Sequence, residues 1–409
     1  PQITFRWTKE TPHEIMRYMM ASERSDRFKR IAFTNDEKRL KCFTEICGIP
    51  YSRAVGYTMV GCNEPAFLGS ITGGNSKINI LRSMETLFHR ESEKILNVCN
   101  FDEFYSVYEE IMLSELEIAY EYDDKYNRAR AEDINYISSL FTEGCIENAK
   151  SLTRGGGNTV IVSPMILGIT NVIDSLIVVR QFVFDEKLLT MEELQRALAC
   201  NWQGFEEKRD LIINSGDFFG NDTPRSNDTA RRLYDSFYRY LKDKTNLFGY
   251  HFLVGDILGY NEHHQWFGEK TKATPDGRYD GDYLKFCIGQ SEGRDRAGLT
   301  ALLNSVATLD PTGIACGSTA TNITLDEALI KDDKSFEKLV YLFEAYFHMG
   351  GVHFQLNYAS KEELLAAREE PGNYRNLRVR VTGFSDFFVN LAESIQDDII
   401  ERTQQTAID

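Results

Sequence analysis

Short β-rich pieces alternating with long stretches of helical periodicity constrain this chain more than any other feature. Apolar residues recur every three and four positions over Thr11–Met20, Asp36–Cys47, Phe101–Tyr122, Ala131–Lys150, Met191–Asn214 (interrupted at Gly204) and Thr229–Lys242. That period predicts helices in each stretch. Thr190-Met191-Glu192-Glu193 supplies a capping start for one of them. Between the helices, Tyr57–Val60, Thr159–Val162, Phe248–Val254, Val352–Leu356 and Leu377–Val381 are predicted as strands. Strands alternating with helices point to an α/β barrel or a doubly wound sheet. There is no internal repeat, low-complexity tract or Pro/Ser-rich linker, so residues 1–409 are read as a single compact unit.

Charge and hydropathy remove two function classes. With 46 Lys+Arg against 62 Asp+Glu, the net charge of -16 argues against a general nucleic-acid binder, which needs a basic face. No run of about 18 apolar residues occurs, the length a bilayer requires. The nearest stretch, Ile161–Phe184, is cut by Asp174, Ser175, Arg180 and Gln181, so no membrane span is expected. The opening Pro1-Gln2-Ile3-Thr4-Phe5-Arg6-Trp7 has neither an initiator Met nor a signal-peptide layout, and reads as the middle of something longer. The 8 Cys (42, 47, 62, 99, 145, 200, 287 and 316) are sparse and form no C-x-x-C pair. They point to a reducing, cytoplasmic compartment, with most thiols serving as small buried hydrophobes.

Several loops could carry chemistry. Gly155-Gly156-Gly157-Asn158 could cradle a phosphate but matches neither dinucleotide nor Walker spacing, and a plain loop is the simpler reading. Adjacent His263 and His264 lack the i,i+3 or i,i+4 spacing of helical metal ligands, and His348 and His353 straddle Gly350-Gly351 with no better geometry. No metal site is expected. Ala273–Arg278 is a Pro-Asp-Gly turn. Gly61-Cys62-Asn63-Glu64-Pro65 says more, because it follows a predicted strand, and loops at strand ends are where α/β folds place reactive groups. Gly383 interrupts the β-like Val379–Leu391, so something there requires a positive φ or a missing Cβ; the bland reading is a bulge or tight turn.

Val60–Pro65, Asn171–Ser175 with Ala199–Phe205, Phe219–Asp222, Ala273–Arg278, Val352–Asn357, and Val379–Leu391 running into Gln396–Thr403 occur in one order along the chain. Together they resemble the C-terminal half of the glycyl radical enzymes, the superfamily of pyruvate formate-lyase and its dehydratase and decarboxylase relatives. The resemblance implies the C-terminal half of a ten-stranded α/β barrel with a helix-rich surround. Residues 50–70 would hold the thiyl-radical loop and 371–409 the glycyl radical segment. Phe384 stands where the family usually has Tyr, and Asn63 where Val is common.

The implied roles suit the residue types. An α-carbon radical is stabilised between an amide nitrogen and a carbonyl, and only glycine flattens there without a side-chain clash. Gly383 would store the radical. Cys62, whose S–H bond is close in strength to that C–H bond, would become the thiyl that takes hydrogen from substrate. Glu64 would act as general base; a carboxylate of pKa about 4.3 in water needs partial desolvation for that task, which contributes roughly 10²–10⁴-fold. The cofactor would be the protein-derived radical on Gly383, with no metal in this chain. A separate activase using S-adenosylmethionine and an iron–sulfur cluster would install it. A small-molecule substrate, a homodimer, oxygen sensitivity and an anaerobe's cytoplasm complete the expectation.

The Cys-x-Glu pattern resembles dehydratases that break C–O bonds of small hydroxylated substrates, and also C–N and C–S lyases and arylacetate decarboxylases. A formate C-acetyltransferase needs a second adjacent Cys, whereas Cys62 is flanked by Gly61 and Asn63. A truncated, non-catalytic relative is the remaining alternative.

Overall fold

The computed structural model describes residues 3–26, 29–61, 63–73, 77–158, 160–255, 261–285, 289–317 and 320–406. Its strands are β1 (Ile3–Trp7), β2 (Ile31–Asn35), β3 (Tyr57–Val60), β4 (Glu64–Phe67), β5 (Ile71–Gly73), β6 (Lys77–Asn79), β7 (Val160–Val162) and β8 (Met165–Leu167). They continue as β9 (Asn322–Leu325), β10 (His353–Asn357), β11 (Arg378–Arg380), β12 (Ser385–Phe387) and β13 (Gln404–Gln405). The largest sheet runs β1-β2-β10-β9-β13. Within it β1 and β2 are parallel, joined through helix α1 (His13–Ser25), while β10 lies antiparallel to β2 and parallel to β9.

Register explains what this sheet is for. Cross-strand partners project from the same face. Phe5 pairs with Phe33, Phe33 with Phe354, and Leu356 with Ile323, which makes one face apolar. It is sealed by the Asp333–His348 helix, whose Phe343 stacks on Phe354 at 4.1 Å. On the other face Arg6 pairs with Thr34, Thr34 with His353, Gln355 with Asn322, and Asn357 with Thr324. Thr34, His353, Gln355, Asn357 and Thr324 are all buried. Strand β10 alone, His-Phe-Gln-Leu-Asn, therefore separates an apolar packing face from a buried polar one at the two-residue strand period. A second set of strands pairs β5 with β7 and β6 with β8, all parallel.

Most expected helices form. Phe101–Tyr122 extends into a helix of 30 residues, Phe101–Arg130, capped by Asn100. Met191–Asn214 splits into Met191–Ala199 and Glu206–Ser215, because Asn201, Trp202 and Gly204 all adopt positive φ between them. Thr190 and Glu193 make the expected capping box. The expected Ala131–Lys150 helix shrinks to Tyr136–Leu140: Asn135 recaps the chain at Ser138, and Gly144 (φ 94°) ends the run. Phe248–Val254 makes isolated bridges rather than a strand, since Asn246 and Gly249 fold its start into a turn. Phe388–Asn390 is a short 3-10 turn, not strand. Strands β1, β2, β4, β5, β6, β8, β9 and β13 were not anticipated.

Two hydrophobic clusters result. The main core spans residues 7–356; a smaller cluster gathers Leu364, Ala367, Val379, Val381, Phe388, Ile399 and Ile400. Among the described residues no helix is long and apolar enough to cross a membrane. Cys42, Cys145 and Cys316 are buried, Cys47 is half-buried, and Cys99 and Cys200 are exposed. Cys62 and Cys287 lie outside the described residues.

Candidate active site

Gly383 sits at the tip of an antiparallel hairpin. Strands β11 and β12 pair Arg378 with Phe387 and Arg380 with Ser385, and the Val381 amide donates to the Phe384 carbonyl at 3.0 Å. Thr382 and Gly383 are thus the two central turn residues. Gly383 has φ 72°, as the second central position of a type II turn requires. The tight-turn reading of the sequence holds.

This tip is buried and gripped by side chains. Gln355 Oε1 accepts from the Gly383 amide (3.2 Å) and from Arg380 Nε (2.6 Å). Gln355 Nε2 donates to Asn322 Oδ1, and Asn322 Nδ2 donates to Thr382 Oγ1 at 2.8 Å. Asn357 brackets Arg380 by accepting from its amide (2.6 Å) and donating to its carbonyl (2.7 Å). Arg402 donates to the carbonyls of Arg380 and Val381. At the ladder pair next to the turn, Arg380 Nη1 and Ser385 Oγ donate to the Lys29 carbonyl. Phe384 lies half-buried beside the smaller cluster, where an aromatic ring without a hydroxyl packs.

Cys62 falls outside the described residues, but the hairpin around it does not. Strands β3 and β4 pair Tyr57 with Phe67 and Val60 with Glu64, with Gly61 and Asn63 beyond the last pair. Gly61 (φ 51°) and Asn63 (φ 73°) both take left-handed backbone, which Gly and Asn tolerate best. The half-buried Glu64 folds its carboxylate back over Gly61: a Cβ at Gly61 would lie 2.5 Å from Glu64 Oε2. Asn63 is buried, and neither atom of its amide has a hydrogen-bond partner. The root is fixed by Arg6, which donates to the Tyr57 and Val55 carbonyls (2.9 and 3.1 Å) and to Asp36 (2.7–3.0 Å). Phe43 meets the rings of Tyr57 and Phe67 edge-on.

Asp36 follows the end of β2 and Lys29 precedes its start, so the two hairpins are anchored at opposite ends of a strand about 15 Å long. Between the anchors runs the polar face of β10, with Asn357 and Gln355 engaged by the Gly383 hairpin. Sequence reasoning placed Gly383 but missed Gln355, Asn322, Asn357 and Arg402 as its holders. The signal was available: a polar residue at every second position of a strand whose other face is aromatic.

The remaining motif residues converge elsewhere. Asn171 Nδ2 donates to Asp276 (2.7 Å), and Asp174 accepts from the Phe219 amide, Ser291 and Arg294. Burial pushes the Asp174 carboxyl up to about 6, against the pull of Arg294. This network ties three of the sequence motifs into one buried knot. The Gly155–Gly157 run is close-packed, with a Cβ at Gly156 placed 2.1 Å from the Lys150 carbonyl oxygen. His263 meets Lys77 Nζ at 2.7 Å while His264 is buried, where desolvation pushes its imidazole down to about 4.

A family model described as pyruvate formate lyase-like matches residues 1–257, and one described as glycine radical matches residues 287–389, so the chain belongs to the glycyl radical enzyme superfamily. It is 34% identical to the trans-4-hydroxy-L-proline dehydratase of Clostridioides difficile over 272 residues, 66% of this chain and 34% of that one. A probable dehydratase of Escherichia coli K12 is 32% identical over 411 residues, 91% of this chain and 49% of the relative. The solved structure of the 1,2-propanediol-dehydrating enzyme of Roseburia inulinivorans superposes with a TM-score of 0.90 at 29% identity, covering 99% of this chain and 53% of that one. The chain is thus an α/β barrel portion, and it spans about half the length of the relatives it matches.

Proposed function

We propose that this chain carries the radical-storing and hydrogen-abstracting parts of a glycyl radical lyase of the dehydratase type. Gly383, in the glycyl radical segment 371–409, stores the radical. Cys62, in the loop of residues 50–70, gives its S–H hydrogen to the Gly383 α-carbon and becomes the thiyl. The thiyl takes hydrogen from a carbon bearing a hydroxyl, and Glu64 takes the proton from that hydroxyl. The neighbouring C–O bond breaks, the departing oxygen takes up a proton and leaves as water, and the product radical recovers hydrogen from Cys62. The substrate is a small molecule with two adjacent oxygen substituents, and the partner is an activase that uses S-adenosylmethionine and an iron–sulfur cluster. The observation that supports this most is the grip on Gly383: a buried glycine at positive φ, with its amide held by Gln355.

The dehydratase names of the relatives support the reaction type. Low-temperature EPR after anaerobic activation tests the radical assignment. A doublet is expected in the wild type and none in Gly383→Ala; a doublet that survives Gly383→Ala refutes it. Proton NMR of the activated protein with a panel of vicinal diols and triols should show a carbonyl product in at least one case, lost in Glu64→Gln with the radical retained.

A further inference from the structure

Three thiols that the radical chemistry does not use gather at the end of helix α2 (Asp36–Glu45). Cys42 is buried on that helix, and Cys47, two residues beyond it, is half-buried and donates its amide to the Cys42 carbonyl at 3.2 Å. Cys316 is buried in the loop that follows Asp310, and its Sγ donates to the Lys38 carbonyl at 3.7 Å, one helical turn before Cys42. Gly313 stands over the pair, where a Cβ would lie 3.6 Å from Cys42 Cβ and 3.9 Å from Cys316 Sγ.

The same helix sends two cations into this loop. Lys38 Nζ donates to the Asp310 carbonyl, and Arg39 Nη1 donates to the carbonyls of Cys316 (2.8 Å) and Gly317 (3.1 Å). Arg39 Nε donates to Thr34 Oγ1 at 2.6 Å, and its buried Nη2 has no hydrogen-bond partner. Every acceptor of this fully buried guanidinium is neutral, and a buried charge demands compensation. Burial raises the Cys316 thiol, but its neighbours Cys42, Arg39 and Lys38 outweigh burial and hold it below the usual value. Burial holds Cys42 up, as the protonated partner.

We propose that Cys42, Cys47 and Cys316 form a redox-modification site, which reduces a low-molecular-weight disulfide such as glutathione disulfide and closes to a Cys42–Cys316 bond. The half-buried Cys47 attacks the reagent as thiolate; the reagent's S–S bond breaks and one glutathione leaves as thiol. Cys42 then attacks the Cys47 sulfur, forming Cys42–Cys47 and releasing the second glutathione. Cys316 thiolate attacks Cys42, and Cys47 returns to the thiol state. Two cysteines lose two electrons, which the reagent gains. The bond joins the helix that follows β2 to the loop that leads into β9, the two strands flanking the β10 residue Gln355.

The test is anaerobic incubation of the unactivated protein with glutathione disulfide, followed by thiol titration and peptide mass spectrometry. Two thiols should be lost per chain and a Cys42–Cys316 peptide should appear, reversed by dithiothreitol. Cys47→Ser should slow closure about tenfold or more by removing the reachable thiol. Cys316→Ser should stop at Cys42–Cys47. Glutathione confined to the exposed Cys99 and Cys200, with the three thiols still titrating as free in the unfolded wild type, overturns the proposal.

Discussion

The hairpin that carries Gly383 is gripped at its tip, whereas the hairpin that carries Cys62 is gripped at its root. Around Gly383, Gln355, Asn322, Asn357 and Arg402 bond the turn and the residues beside it. Around Cys62, Arg6 and Asp36 hold the base of the hairpin, while at the tip the buried Asn63 amide goes without a hydrogen bond. On the proposed reading the difference follows from the two tasks. A stored radical persists longest on a fixed, sealed amide. A thiyl must meet two partners, the glycine and then the substrate, and a hairpin held at its root can present it to both.

Removing the grip should give the largest effect after Gly383→Ala itself. In Gln355→Leu, the Gly383 amide and the Arg380 Nε lose their common acceptor. A buried orphan donor costs about 1–3 kcal/mol and a charged one more, so a loss of roughly 2–5 kcal/mol is expected. Thermal unfolding reads the sum, and hydrogen exchange at residues 378–387 should rise while exchange at 57–67 stays unchanged. Equal acceleration of both hairpins would mean that Gln355 stabilises the sheet in general and does not clamp the tip.

A pH effect should come next, again on the Gly383 side. Glu23 is buried near Lys29, Tyr358 and Arg380, and burial pushes its carboxyl up to about 7, against the downward pull of Lys29. Neither carboxylate oxygen has a hydrogen-bond partner. A folded-state value above the unfolded one means that the folded protein binds the extra proton. Stability contributed by Glu23 is therefore full below about 4.5 and lost as pH rises through about 7, on the order of 3 kcal/mol in all. Asp174 and Asp295, raised to about 6 and about 7 mainly by burial, push the same way, so the informative quantity is the difference between wild type and Glu23→Gln. Denaturant unfolding from pH 4.5 to 8 should show the variant with a flatter decline. Parallel curves would remove Glu23 from the account.

The sequence announced more of the site than of the sheet beneath it. Gly383 inside a β-like run, and Cys62 and Glu64 after a strand, were legible because each breaks a local rule that its neighbours obey. Strands β1, β2 and β9 were not, since pieces of four or five residues carry too few periods to stand out, and their polar members such as Thr34 and Asn322 point to a buried interior that a two-sided pattern hides. The Ala131–Lys150 misreading has the opposite cause. Its apolar spacing is helical, but Asn135 and Gly144 satisfy the backbone locally, and turns win over periodicity.

The smallest effect expected belongs to the freer hairpin, and it separates the base from the loop that presents it. Alanine at Gly61 would put a methyl where Glu64 Oε2 now stands, 2.5 Å from the ideal Cβ, at a φ of 51° that alanine enters at a cost of about 1 kcal/mol. The carboxylate is the far end of a flexible side chain and can swing aside, so the fold should survive. If Glu64 is the base, Gly61→Ala lowers kcat by about tenfold on whichever panel substrate the activated protein converts, a fraction of the roughly 10²–10⁴-fold a positioned base contributes. KM and the EPR doublet should hold, because radical storage lies on the other hairpin. Loss of the doublet in Gly61→Ala would show that the Cys62 loop shapes the resting site of the radical, and the contrast between a store clamped at its tip and a hairpin held at its root would fail. An unchanged kcat would instead take the proton from the substrate hydroxyl to some group other than Glu64.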